Sequence, residues 1–156
     1  ISMFNTYQRF AQFVKQFDES TLEKTMLRFQ LAVMMYKTKD DISGAEKILQ
    51  QNLLVIPRPR RIHQLGIFYV VTGREEKANE IIQDLISHEN PFDNGVPSYY
   101  AAKIEAELGH KEKSVDYLSK AIANGMEFRQ ELFEFDADLK NLLDYPPFIE
   151  LVRPKE

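Results

Sequence analysis

The residues best suited to metal chemistry in this chain are its three histidines, His63, His88 and His110. No two of them are four positions apart, the spacing that places two imidazoles on one helix face for a zinc ion. The chain has no cysteine, which excludes thiolate zinc sites, cysteine nucleophiles and disulfide bonds. The sequence therefore predicts no metal and no cofactor. We expect His88 and His110 near helix ends or in solvent.

Patterns typical of catalysis are also missing from the sequence. It contains no G-x-S-x-G elbow and no glycine-rich phosphate loop. Paired carboxylates can act as acid and base or hold calcium, but each pair here stands in a polar turn or at a helix start. The pairs predicted to be solvated surface are Asp40 with Asp41, Glu75 with Glu76, and Asp136 with Asp138. We predict no catalytic residue and no enzyme activity.

The overall composition is that of an ordinary globular protein. The 156 residues are 44% hydrophobic and 28% charged, with a net charge of −4. This acidic balance argues against a nucleic-acid binder, which usually has a basic surface. No apolar stretch approaches the length of a membrane span. The start at Ile1 suggests a fragment or a processed form. A cytoplasmic location is favoured, and a periplasmic or membrane-anchored one stays open.

Apolar residues recur at helical spacing along almost the whole chain. One stripe consists of Phe10, Phe13, Val14 and Phe17, and similar stripes follow it. The breaks between them contain glycine, proline or polar turn residues. The pattern predicts an all-α fold of antiparallel helix pairs joined by short turns.

The helix breaks and the small residues repeat at a nearly constant interval. Gly73 and Gly109 are 36 residues apart, whereas Ala45 and Ala78 are 33 apart. A period of 33–36 residues with two helices in each unit is typical of a helical solenoid. Small residues such as Gly66 are expected where two helices cross closely.

The middle unit resembles the tetratricopeptide repeat family, whose pattern is W-x2-L-G-x2-Y, then A-x3-F, then P. Its matching residues are Ile62, Leu65, Gly66, Tyr69, Ala78, Ile82 and Pro91. The preceding unit matches with Phe29, Ala32, Val33, Tyr36, Ala45, Leu49 and Pro57. The third unit departs further, because Glu105 stands in the tyrosine position and no proline closes it.

The resemblance implies a right-handed superhelical α-solenoid in a single domain, residues 1–156. Its parts are an N-terminal capping helix in 1–25, repeats in 26–57, 58–91 and 95–126, and a phenylalanine-rich C-terminal cap in 127–156. Stacking of neighbouring units would bury the apolar face that one unit cannot bury alone.

The resemblance also implies a concave groove, lined by the first helix of each unit, that holds a peptide or a partner protein. Alignment assigns these residues to it: Gln30, Met34, Lys37, Arg60, His63, Ile67, Val70, Tyr99 and Lys103. Such a surface suits hydrophobic anchors with one or two carboxylates. The asparagine positions of the family's carboxylate clamp hold Met34 and Ile67, so binding of chaperone C-termini is not expected.

The sequence favours a non-catalytic protein–protein interaction module. Three alternatives stay open. The groove can be covered by the protein's own tail, the chain can be a regulatory or structural segment of a larger, membrane-anchored protein, or it can bind RNA as the pentatricopeptide family does. Neither the partner nor the oligomeric state follows from the sequence.

Overall fold

The computed structural model describes residues 3–16, 22–38, 41–52 and 58–153. Within these ranges every regular element is a helix, and none is long and apolar enough to cross a membrane. The α-helices are α1 (Met3–Val14), α2 (Leu22–Thr38), α3 (Ile42–Asn52), α4 (Arg58–Val71), α5 (Glu75–Ser87), α6 (Val96–Glu107), α7 (Lys111–Ala123), α8 (Gln130–Glu134) and α9 (Pro146–Val152). Short 3-10 helices span Pro91–Asp93 and Ala137–Leu142.

Helices adjacent in sequence pack most closely on each other. The most extensive contacts join α2 with α3, α4 with α5, and α6 with α7. In addition, α4 packs against both α2 and α6. The helices from α2 to α6 therefore each contact both their own partner and a helix of a neighbouring pair.

Two glycines end α4 and α6 in the same way. Gly73 has φ +73° and Gly109 has φ +83°, a left-handed conformation that other residues adopt only with strain. The amide after each glycine closes the helix, because Arg74 donates to the Tyr69 carbonyl and His110 donates to the Glu105 carbonyl. The sequence correctly predicts both helix ends.

Small side chains allow the close helix contacts. Ala45, Ala78 and Ser114 are fully buried, and Ser114 Oγ donates to the Ala102 carbonyl at 2.7 Å. A Cβ on Gly66 would overlap the terminal methyl of Ile104 on α6 and lie 3.1 Å from Ile81 Cγ2 on α5, so any larger residue there would force the Ile104 side chain to shift.

The buried residues form two clusters. One extends from α2 to α6, and the other joins α6 and α7 to the C-terminal segment, which consists of α8, the second 3-10 helix and α9. Phe133, Leu139, Leu142 and Phe148 in this segment are fully or almost fully buried. The Pro-started last helix is present as the sequence predicts, since Pro146 and Pro147 open α9. The C-terminal segment is therefore part of the core.

Of the aromatic stripe at the N-terminus, Phe10 and Phe13 lie on α1 with their rings stacked at 6.4 Å. Phe17 lies outside the described residues. Phe10 packs against the first cluster, whereas Phe13 is 45% exposed. The stripe is thus only partly covered by the described part of the chain.

Candidate functional site

A cleft of about 460 Å³ lies between α2, α4, α6 and the second 3-10 helix. Its walls combine aromatic and aliphatic side chains with a few polar ones. They are Phe29, Val33, Tyr36, Lys37, His63, Gln64, Ile67, Tyr99, Tyr100, Lys103 and Asp138. Three of the helices that sequence alignment placed at the groove therefore meet at one cavity.

Some residues assigned to the groove lie in this cleft and some do not. Those that line it are Lys37, His63, Ile67, Tyr99 and Lys103. Gln30 is exposed on α2, while Met34 and Val70 are half-buried outside the lining. Arg60 belongs to α4, but its side chain lies outside the described part of the structure.

Sequence alignment missed several cleft residues. Val33 and Tyr36 match the repeat pattern and were not among the predicted groove residues, although both line the cleft. Tyr100 adjoins the predicted Tyr99. No repeat spacing places Asp138 at the groove, because it reaches the cleft from the C-terminal segment rather than from a repeat.

Lys103 on α6 is held by two carboxylates of that segment. Its Nζ lies 3.0 Å from Asp136 Oδ2 and 2.8 Å from Asp138 Oδ2, and its side chain is 11% exposed. Burial would lower the pKa of Lys103, but the charges of Asp138 and Asp136 outweigh burial and raise it. The ammonium is therefore firmly charged and already neutralised from within the chain.

The prediction that Asp136 and Asp138 are solvated surface is wrong. Their side chains are mostly buried, and the Tyr99 hydroxyl donates to Asp136 Oδ2. The physical reason is the burial of Phe133 and Leu139, which fixes the segment against α6 with both carboxylates turned inward. Burial would raise the pKa of Asp138, but the adjacent His63 ring and Lys103 ammonium hold it well below its usual range.

His63 on α4 forms the centre of the cleft wall. It is 6% exposed, and its ring stacks on Tyr100 with centroids 4.7 Å apart. Its Nε2 lies 3.2 Å from Asp138 Oδ2, but neither ring nitrogen makes a well-aligned hydrogen bond within the described part of the chain. Burial lowers the pKa of His63 despite the neighbouring Asp138, so the ring is neutral at pH 7.

Burial and nearby carboxylates shift the pKa of two further groups close to Asp138. Burial, followed by the charges of Asp138 and Glu107, raises the pKa of Tyr36 to about 12. Burial also raises the pKa of Glu107, and Asp138 adds to that effect although Lys140 and Lys37 oppose it.

The other two histidines lie away from the cleft. His88 is exposed, and its Nδ1 is 2.8 Å from the Asp84 carbonyl oxygen. His110 precedes α7, and its Nδ1 is 2.7 Å from Oε2 of the buried Glu105. Glu105, which departs from the repeat pattern, is thus matched by a histidine five residues later.

The groups around the cleft suit recognition better than bond chemistry. Lys103 and Asp138 are paired with each other, and the exposed Lys37 stands at the rim. Among the residues that the structure describes, no three histidine, aspartate or glutamate side chains converge as a metal site. What the cleft offers is an aromatic and aliphatic surface with compensated charges.

Comparison with protein-family models, with curated proteins and with solved structures finds no match to this chain.

Proposed function

We propose that this chain is a non-catalytic protein–protein interaction module that binds a segment of a partner protein in the cleft. The observation that carries the proposal is the cleft itself, because α2, α4 and α6 each contribute side chains to one cavity. Aromatic residues such as Tyr36 and Tyr100 are enriched at recognition surfaces, since they give large contact area with little loss of side-chain entropy.

The proposed architecture is a tetratricopeptide-like solenoid of antiparallel helix pairs. The contacts of α4 with α5 and with both α2 and α6 support it, as does the extension of this pattern to α6 and α7. In a solenoid each pair touches only its neighbours, and the first helices of successive pairs line one face. The positions of His63 and Lys103 on one cavity agree with that arrangement.

A peptide-display selection on the immobilised chain tests the function. The cleft variant is Val33→Asp with Lys37→Glu, two changes at half-buried and exposed positions of α2. The matched control is Lys113→Glu, on the exposed face of α7. We expect enriched peptides that bind the wild type and the control but lose about tenfold or more in affinity with the cleft variant.

Retention of binding by the folded cleft variant would move the binding surface elsewhere. Failure of the wild type to enrich any peptide would favour the second reading, a regulatory or structural segment of a longer polypeptide. The presence of Asp138 in the cleft wall favours a further alternative, in which the chain covers part of its own groove. RNA binding is disfavoured by the net charge of −4.

A further inference from the structure

We infer that the cleft accepts an uncharged aromatic or aliphatic side chain of the partner and rejects a carboxylate, because Asp136 and Asp138 already occupy the cation Lys103. The inference rests on the proposed function and specifies the chemistry of its partner. It differs from the expectation from sequence, in which Lys103 was free to bind partner carboxylates.

The first step is the charge of the cluster. Lys103 Nζ lies within 3.0 Å of one carboxylate oxygen each from Asp136 and Asp138. With His63 neutral, two negative charges face one positive charge. Asp138 is the carboxylate that lines the cleft, so an anion that reaches this inner wall would approach a net negative cluster, whereas Lys37, the lining cation outside the cluster, is exposed to solvent on α2.

The second step is that Asp136 and Asp138 are held beside Lys103. Asp136 begins the second 3-10 helix, where Oδ1 accepts a hydrogen bond from the Asp138 amide at 3.0 Å. Phe133, Leu139 and Leu142 on either side are fully buried. Moving the segment that carries the pair away from α6 would return these three side chains to water, which the weak gain from one exchanged carboxylate does not offset. The packing of the segment therefore keeps Asp136 and Asp138 beside Lys103.

The third step is what remains accessible. Phe29, Val33 and Tyr100 are half-buried in the cleft lining, which leaves part of each surface for a partner to cover. The His63 ring, stacked on Tyr100, extends this surface. The cavity volume is large enough for a phenylalanine or leucine side chain. An apolar anchor gains burial here without disturbing any charge pair.

The experiment compares anchors on one peptide scaffold. A random peptide library is selected on the wild type, and the anchor of the best peptide is then replaced by Phe, Leu, Asp or Glu. We expect the wild type to prefer the uncharged anchors by about tenfold or more. Asp138→Asn removes the wall charge while Asp136 still balances Lys103, and it should reduce that preference by about tenfold.

The matched control is Asp144→Asn in the same C-terminal segment. Asp144 is 83% exposed, where it pairs with Lys111, so its removal should leave the anchor preference unchanged. Acidic anchors preferred by the wild type, or an equal preference in wild type and Asp138→Asn, would overturn the inference while the interaction function stands. Absence of any peptide that depends on the cleft would overturn both.

A measurement on the wild type alone tests the inference even where a variant does not fold. Lysines are labelled with an amine-reactive ester, and their rates are read by mass spectrometry. We expect Lys103 to react at least about tenfold more slowly than the exposed Lys113, because its ammonium is buried between two carboxylates. Equal rates would show that the acidic pair leaves Lys103 and would contradict the inference.

Discussion

The ammonium of Lys103 on α6 lies 2.8 Å from Oδ2 of Asp138 in the second 3-10 helix. This contact joins the wall of the cleft to the C-terminal segment, and Asp136 strengthens it from 3.0 Å. Because the same contact pairs the charge of Lys103 and fixes the segment, it connects the stability of the fold with the proposed choice of partner.

Lys103→Met should lower the free energy of unfolding by about 3 kcal/mol, measured by urea denaturation at pH 7. The loss arises because Asp136 and Asp138 would remain mostly buried beside each other with no cation. Lys111→Met is the matched control, since Lys111 also pairs with an aspartate of the C-terminal segment but does so in solvent. We expect the control to unfold like the wild type. Equal losses in the two variants would contradict the structural role of Lys103.

The stability of the fold should decrease when the pH falls below about 6.5. Burial holds the folded pKa of His63 below its unfolded value, so the unfolded chain binds a proton there that the folded chain does not. Stability is complete above the unfolded pKa and is lost at up to about 1.4 kcal/mol per pH unit until the folded pKa is reached.

His63→Phe keeps an aromatic ring against Tyr100 and removes this titration. Urea denaturation at several pH values from 7.5 to 5.5 measures this effect. The free energy of unfolding should decrease with falling pH for the wild type and stay nearly constant for the variant. His88→Gln is the control, because the His88 ring is exposed and the decrease should persist. An unchanged decrease in His63→Phe would assign the effect to another group.

The helices and their turns could be predicted because the signals are local and repeat. The interval between Gly73 and Gly109 marks two helix ends, and the left-handed φ of each glycine explains why that residue type is required. The same interval relates His63 on α4 to Tyr99 on α6. Both side chains do line the cleft.

The internal partner of Lys103 could not be predicted in this way. Asp136 and Asp138 stand at the start of a short helix, where their local sequence is typical of solvated capping residues. Their burial follows from the packing of Leu139 and Leu142 against α6 and α7, which is a non-local contact without a repeat spacing. The repeat interval therefore predicts that side chains of α4 and α6 share one cleft, but it does not predict the internal partner of Lys103.

Gly66→Ala should lower the free energy of unfolding by about 1 kcal/mol, although alanine is the better helix former. A Cβ there would overlap the Ile104 Cδ1 atom and lie 3.0 Å from its Cγ1 and 3.1 Å from Ile81 Cγ2. Adding Ile104→Val removes the Cδ1 atom and should recover part of the loss. Thermal unfolding of the single and double variants measures this coupling. If the double variant loses as much stability as the two single variants lose together, the close contact is contradicted.

Glu89→Gln should lower the free energy of unfolding by about 2 kcal/mol at pH 7, measured by urea denaturation. The Glu89 carboxylate accepts hydrogen bonds from Ser98 Oγ at 2.7 Å and pairs with Lys120 at 2.7 Å, so it joins the start of α6 to α7. Burial would raise the pKa of Glu89, but the bonds from Lys120 and Ser98 lower it overall. The contribution of the charge is therefore complete above pH 4.5 and is lost as the pH falls through the folded pKa.

The difference in the free energy of unfolding between wild type and Glu89→Gln should become smaller when urea denaturation is repeated well below pH 4.5. The reason is that the wild-type carboxyl then also loses its charge. Glu150→Gln is the matched control, since Glu150 pairs with Arg153 in solvent. Surface pairs of this kind contribute between 0 and about 1 kcal/mol, so the control should stay close to the wild type at every pH. A loss in Glu89→Gln that is independent of pH would assign the effect to packing rather than to the charge.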